Sequence, residues 1–416
     1  MKKIFSIVMV LCLTMSFFAC QKSLDEASLE QKIAAGDSFS LIINEEGELF
    51  GFGSSFYGVF ANGITNAISY TTPISMNQYF DLHEDEVFKA VYAGELHAYA
   101  ITTEDRVFTW GNNFHGQTGI APAMSLISSP MNITSSLKLN DGEKIVEWAQ
   151  GDFHTIVLTS EGRVLGWGRN NDDNLGTHEH DIVLEFGSYV ALALDLTSYF
   201  ALSSDETITD IGVYYALSSK NRLFGWGETV VAINQQRSLR DVTSLLNLNK
   251  GEYVNDIIAC GNILKTSDGR LLESVSTLGT NAQSVDYVSI ALDHYPEIEV
   301  STLFVTFGNV IMLDTKHQAW ILGINSFANL GSGNTFAVGE QQYDFTNKKL
   351  TVTFEESSWA IDWQKDEYPV SFAMSKRHTI MITNHHRIFA FGDNTLGQIG
   401  DGTTEMAYVP VLIDLD

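Results

Sequence analysis

The chain is predicted to be all-β, a seven-bladed β-propeller over residues 33–416 whose ring is closed by the C-terminal strand completing the first blade. Three observations support this: one hairpin recurs seven times in phase, each copy turns on a polar pair, and a strand-like segment is left over at the end of the chain. The best copy is TIVLTSEGRVLGWG, residues 155–168. In it an apolar run, Ile156-Val157-Leu158, meets a polar turn at Glu161-Gly162, and a second run returns to Trp167-Gly168. A short turn between two β-rich runs marks a hairpin, because its tight backbone favours glycine or a small polar residue.

Gapless copies end at residues 53, 111, 168, 227, 275, 323 and 392, a spacing of 48 to 69 residues. The turn slot holds Glu46-Gly47, Glu104-Asp105, Glu161-Gly162, Lys220-Asn221, Asp268-Gly269, Lys316-His317 and His385-His386. One hairpin per period leaves room for two further strands, hence a four-stranded blade that can bury its faces only against its neighbours. The segments Thr72-Pro73-Ile74 and Ser129-Pro130-Met131 read as a blade's first strand. The chain starts at Lys32-Ile33 without one and finishes on Val409-Pro410-Val411-Leu412-Ile413, so that last strand is expected to complete the blade begun near residue 33.

The composition suits such a core, with 44% hydrophobic and 11% aromatic residues. The 24 basic and 51 acidic residues leave a net charge of -27, which repels phosphate backbones and argues against a nucleic-acid partner. The first twenty residues carry Lys2 and Lys3, an apolar stretch and a small residue before Cys20, the layout of a secretory signal. Phe17-Phe18-Ala19-Cys20 resembles a bacterial lipobox, with Phe17 where leucine is usual. The expected organisation is a lipoprotein signal peptide over 1–19, lipidation at Cys20, a flexible tether over 20–32 and the propeller beyond. Ordinary signal cleavage, with Cys20 free or removed, is the competing reading. Of the three cysteines, only Cys260 would then remain as a free thiol, so neither a disulfide nor a cysteine-based metal site is expected in the mature chain.

Ala93-Gly94-Glu95-Leu96-His97 matches Gln150-Gly151-Asp152-Phe153-His154 upstream of the hairpin, and Ala35-Gly36-Asp37-Ser38-Phe39 follows more loosely. Downstream, Gly111-Asn112-Asn113-Phe114-His115-Gly116-Gln117 matches the run from Gly392 through Asn394, Gly397 and Gln398 to Gly400. Together these resemble the repeat of the regulator-of-chromosome-condensation family, over nearly the whole of 33–416. The match is sharp in blades 2, 3 and 7 and poor in blade 5, where Ser274-Val275 replaces the aromatic-glycine step. The resemblance implies a propeller that binds protein. Family members include a nuclear nucleotide-exchange factor and secreted bacterial inhibitors that cap an enzyme, but an acidic exported chain does not suit the nuclear role.

No nucleophile elbow, zinc-protease, P-loop or dinucleotide signature is present, so no enzyme activity, cofactor or metal is expected. His97, His154 and His378 share one repeat position and read as imidazoles bonded within their own blades. Trp110, Trp167 and Trp226 read as packing between blades. His178-Glu179-His180, His385-His386 and the acidic run at Asp172-Asp173 lack the spacing of a metal site. What remains is surface. A few positions past the glycine of each tryptophan-glycine step lie Phe56, Tyr57, Phe114, His115, Asp172, Asp173 and Phe327, in loops expected to share one end of the propeller. They are the candidate contacts for a protein partner; Asp37, Glu95, Leu96, Asp152 and Phe153 would join them if the Gly-x-x turns share that face. The expected protein is a monomeric outer-membrane lipoprotein of the cell envelope, on the periplasmic or the outer side, meeting the membrane only through its lipid. It holds a protein partner, with glycan or cell-wall capture, hydrolytic or not, as the alternative.

Overall fold

A computed structural model describes residues 30–121, 125–171, 173–177, 189–227, 238–258, 263–276, 285–291, 298–306, 308–344 and 349–415. These residues form seven sheets, one after another along the chain, and contain no α-helix. The blades run over 33–75, 88–132, 145–195, 208–241, 254–291, 300–356 and 369–413. Blade 2 shows the plan: an inner strand Phe88–Ala93, a hairpin of His97–Thr102 with Val107–Asn112, and an outer strand Leu126–Asn132. The inner strands of neighbouring blades approach one another around the axis, as Ile33–Ala35 does with Phe88–Ala93 on one side and Pro369–Met374 on the other.

The hairpins are local in origin. In all seven, the second residue of the turn pair has left-handed backbone: Gly47, Asp105, Gly162, Asn221, Gly269, His317 and His386, with φ between 59° and 79°. In blade 2, Asp105 N–H donates to Thr102 O and Thr102 N–H donates to Arg106 O, each at 3.0 Å; the other six turns repeat the pair. This three-residue loop bends the two strands in the sense of their own twist. Strand periodicity then feeds two cores at once. Ala98, Ala100, Phe108 and Trp110 pack with Phe60, Met76 and other residues of blade 1, while Tyr99, Ile101 and Val107 pack with Val157, Leu165 and Trp167 of blade 3. A blade buried on both faces explains the continuous apolar runs of its strands.

The ring does not close as expected. Strand Ala407–Ile413 pairs with the third strand of its own blade, Gly392 opposite Ala407 and Ile388 opposite Ile413, and Ile33–Ala35 is itself the inner strand of blade 1. The proline-containing segments at Pro73 and Pro130 are likewise outer, fourth strands, not first ones. Proline lacks an N–H and suits a sheet edge; that property marks an outer strand without saying whether it begins or ends the repeat. The seam between blades 7 and 1 is closed by side chains and by a backbone hydrogen bond. Ile33, Ala35, Ile42 and Phe52 share one apolar cluster with Phe372, Ile380, Phe391 and Ile399. Ser40 Oγ donates to Gln398 O at 2.7 Å, and Gly402 N–H donates to Thr71 O at 2.7 Å.

Blade 5 has six strands, not four. Between the third and fourth strands of blade 6, a hairpin of Glu340–Asp344 with Lys349–Thr353 crosses over and pairs in parallel with Val285–Ala291, Ser289 opposite Lys349. This detour accounts for the 69-residue spacing between the glycines of blades 6 and 7.

Candidate functional site

Strand direction places two sets of connections at one end of the ring. The turn from the inner strand into the hairpin and the loop leaving the hairpin lie side by side. Asn112 N–H donates to Leu96 O at 2.9 Å, Ser54 N–H to Ser38 O at 2.9 Å, Arg169 N–H to Phe153 O at 2.8 Å and Asp393 N–H to Arg377 O at 2.9 Å. The Gly-x-x turns therefore share the face of the long loops. The glycine at this junction is sterically required in blade 2: Gly111 has φ +102°, and a Cβ there would lie 2.6 Å from His97 Cα and from Leu96 O.

Three of the predicted contacts gather on blades 1 and 2. The ring of Phe56 lies 4.1 Å from that of Tyr57, and Tyr57 meets Phe114 edge-on at 6.3 Å. Phe56 is 45% and Phe114 55% exposed, so these rings form a ledge rather than a core. Tyr57 sits at φ +64°, a strained conformation for a bulky residue that turns its ring between its two neighbours. His115 is half-buried against Phe153 of blade 3 at 5.3 Å, with Arg169 over the same ring. Phe327 shares the face but stands apart, with Arg377 of blade 7 at 5.2 Å from its ring centre.

Asp173 is a correction. It is buried and adopts φ +55°, the place filled by Gly116 (φ +68°) in blade 2, and each donates its N–H to the asparagine three residues before it. Blade 3 thus sets an aspartate where the turn needs left-handed backbone, and that side chain is not a surface contact. Asp172, Cys20 and the His178–His180 run lie outside the described residues.

At the axis the Gly-x-x turns link in sequence: Asp37 N–H donates to Glu95 O at 3.0 Å and Glu95 N–H to Asp152 O at 3.3 Å. They line a small opening together with Thr306, Ser375 and Lys376. Lys376 Nζ lies 3.6 Å from Glu95 Oε1. Burial, and then the charge of Glu95, hold the Asp152 carboxyl well above the ordinary aspartate range, against the pull of Lys376.

The three histidines are fully buried and reach across blade boundaries, not into their own blades alone. His97 Nε2 lies 3.1 Å from Gln150 Nε2 of blade 3, His154 packs on Tyr214 of blade 4, and His378 Nε2 lies 2.8 Å from Ser40 Oγ of blade 1. Burial depresses them to about 3, 4 and 3. They are neutral at physiological pH and serve the joints, as do the tryptophans: Trp110 Nε1 donates to Val59 O and Trp226 Nε1 to Asn174 O, each in the preceding blade.

The opposite end carries a set the motif reading missed. Glu86, Glu143, Glu206, Glu252 and Glu367 are buried, each two residues before an inner strand, and each pairs with the arginine that opens the third strand: Arg106, Arg163, Arg222, Arg270 and Arg387. Each glutamate also caps its own turn by accepting a backbone N–H from three residues upstream, as Glu252 does from Asn249 at 2.7 Å. His83, Glu86 and Glu104 come within 4.8 Å of one another in a pattern a metal ion can use. One oxygen of the buried member is already engaged, however: Arg106 donates to Glu86 Oε2 at 2.5 Å and the His83 N–H donates to the same atom. His385 and His386 sit in their turn beside Gln364 and Glu45.

The comparisons agree with this geometry. A family profile described as "Regulator of chromosome condensation (RCC1) repeat" matches residues 31–59, 88–117 and 145–173, and a second of the same description matches 104–158. Residues 31–59 and 88–173 of this propeller carry RCC1 repeats. The solved structure of Prp20p from Saccharomyces cerevisiae superimposes with a TM-score of 0.63 at 17% identity, over 93% of this chain and 87% of that one. Yeast RCC1 (Prp20), solved with Kap60, gives 0.65 at 16% identity over 95% and 91%. Among curated relatives, this RCC1-repeat chain is 23% identical over 92% of its length to the human E3 ubiquitin-protein ligase HERC2, covering 6% of that protein. It is 23% identical to the ultraviolet-B receptor UVR8 of Arabidopsis thaliana over 74% of this chain and 65% of the receptor. The chain thus spans less than two thirds of the length of these curated relatives. The blades matched by the repeat profiles are blades 1 to 3, which also carry the aromatic ledge and the three axial carboxylates.

Proposed function

We propose that this RCC1-repeat chain is a lipid-anchored binding propeller of the cell envelope, holding a protein partner on the loop face of blades 1 to 3. RCC1-like propellers commonly mediate protein–protein interaction, and yeast RCC1 is seen bound to Kap60. The observation that carries the reading is the exposed Phe56–Tyr57–Phe114 ledge, in which a strained tyrosine holds two rings open to solvent. Apolar rings kept at a surface in this way are typical anchors of an interface. The anchor rests on the lipobox-like Phe17–Cys20 sequence, and the protein acts as a monomer without catalysis.

Crosslinking in intact cells, wild type against the F56A/F114A double variant, tests the face. Loss of the crosslinked protein in the variant supports the reading. Loss of polysaccharide retention instead supports glycan capture, and no change in either excludes this face. Cys20→Ala tests the anchor: the variant should leave the membrane fraction, and an unchanged distribution refutes lipidation.

A further inference from the structure

We infer that the loop face of blades 1 to 3 takes a protein segment in which a lysine or arginine is flanked by apolar side chains, the cation entering the axial opening and the apolar groups resting on the Phe56–Phe114 ledge. This rests on the reading of that face as the partner site.

The ledge alone asks for apolar surface; its surroundings specify the charge. Going outward from the axis, Asp37 is followed by Ser38, whose carbonyl holds Ser54, two residues before Phe56. Glu95 is followed by Leu96, whose carbonyl holds Asn112, two residues before Phe114. The same two blades therefore present a carboxylate near the axis and an aromatic ring outside it, on a rigid backbone link. Around the opening stand three carboxylates, Asp37, Glu95 and Asp152, and one ammonium, Lys376, which lies 3.6 Å from Glu95. The opening is thus short of positive charge.

Asp152 registers the imbalance, since burial and the charges of Glu95 and Asp37 oppose its ionisation more strongly than Lys376 and Arg169 favour it. A guanidinium or ammonium placed there relieves this repulsion in a partly desolvated site, where such an interaction is strong. The chain's net charge of -27 draws a cationic segment in from a distance. A free metal cation would use the opening and ignore the ledge, and a neutral glycan would use the ledge and ignore the opening. A cationic, apolar-anchored peptide segment engages both.

The test selects a displayed random-peptide library on the full-length protein and measures the recovered peptides against three forms: wild type, D37N/E95Q/D152N and F56A/F114A. Melting curves confirm that each variant is folded, and Glu95→Gln alone serves if the triple variant is not. The expected peptides are enriched in lysine or arginine beside aromatic or aliphatic residues. Their affinity should fall about tenfold or more in both variants and weaken as salt is raised. Peptides lost in F56A/F114A but unaffected by D37N/E95Q/D152N overturn the cationic inference and leave the face itself standing. Peptides indifferent to both variants, or a library that yields no binder, overturn both readings.

Discussion

His378 Nε2 lies 2.8 Å from Ser40 Oγ, joining residues 338 positions apart across the seam between the last blade and the first. The other ring nitrogen, Nδ1, lies 2.9 Å from Ser375 Oγ. Among the described residues no shared strand stitches this seam, so the imidazole, the apolar cluster around Ile33 and Phe391 and the Gly402–Thr71 backbone hydrogen bond carry what a strand would otherwise supply. Ser40→Ala removes one partner and leaves a buried nitrogen unsatisfied, which should cost about 1–3 kcal/mol. Urea unfolding of the variant checks this, and an unchanged midpoint would show that the seam does not depend on the Ser40–His378 contact.

Acid should loosen the blade joints before it reaches the carboxylates. The three buried histidines have folded values of about 3, 4 and 3, below the ordinary 6.5. On acidification the unfolded chain takes these protons first, so their contribution is intact above about pH 6.5 and is lost as pH falls towards 4 for His154 and towards 3 for His97 and His378. Each adds a slope of up to about 1.4 kcal/mol per pH unit. Denaturant midpoints followed from neutral to mildly acid pH should fall steadily, and His97→Gln with His378→Gln should flatten the curve.

The glutamate–arginine pairs act lower on the pH scale. Arg270, donating at 2.7 Å to each oxygen of Glu252, is the main cause that holds this carboxyl at about 2. At Glu206 burial opposes the charge, but Ser218, Ser203 and Arg222 outweigh it, again to about 2. Both values lie below the unfolded one, so this stability is present above about pH 4.5 and is lost as pH falls towards 2. Arg270→Met leaves the carboxylate buried without its cation and should destabilise by about 2–4 kcal/mol at neutral pH. The deficit should shrink in acid, where Glu252 of the variant protonates; a deficit independent of pH would mean that lost packing, not charge, is responsible.

Gly111→Ala should be among the most damaging single-methyl changes in blade 2. The added carbon meets backbone atoms of the neighbouring turn at 2.6 Å and the residue stands at φ +102°, so neither a rotamer nor a small shift relieves it. A fall of several degrees in melting temperature, or loss of soluble protein, is the expected result. Gly142→Ala, also at positive φ (+79°) but with open space around its Cβ position, is the control and should be much milder.

Some features were legible because they are local. The left-handed second residue of each turn, from Gly47 to His386, is a property of a few adjacent residues, and seven such turns in phase are enough to count the blades. The glutamates two residues before the inner strands were visible as well, in Glu143-Lys144-Ile145 and Glu252-Tyr253-Val254, and each is answered by an arginine such as Arg163 or Arg270. In a chain with 51 acidic residues nothing sets these glutamates apart until the hairpin folds and brings the arginine back beside them.

Other features had no local record. Val409–Ile413 has the same edge-strand character whether it ends blade 7 or begins blade 1, because a proline-bearing strand satisfies either edge and only the pairing of Gly392 with Ala407 chooses. Asp173 looks like a surface acid, yet its backbone conformation places it in a glycine's position inside the loop. The crossing of the 340–353 hairpin to blade 5, and the gathering of Asp37, Glu95 and Asp152 around one opening, join segments separated by tens of residues. Strand alternation and turn chemistry act between neighbours in the chain and so can be read from the order of residues. Which edges meet, and which charges face one another, depends on how seven sheets pack around an axis, and that is settled only in three dimensions.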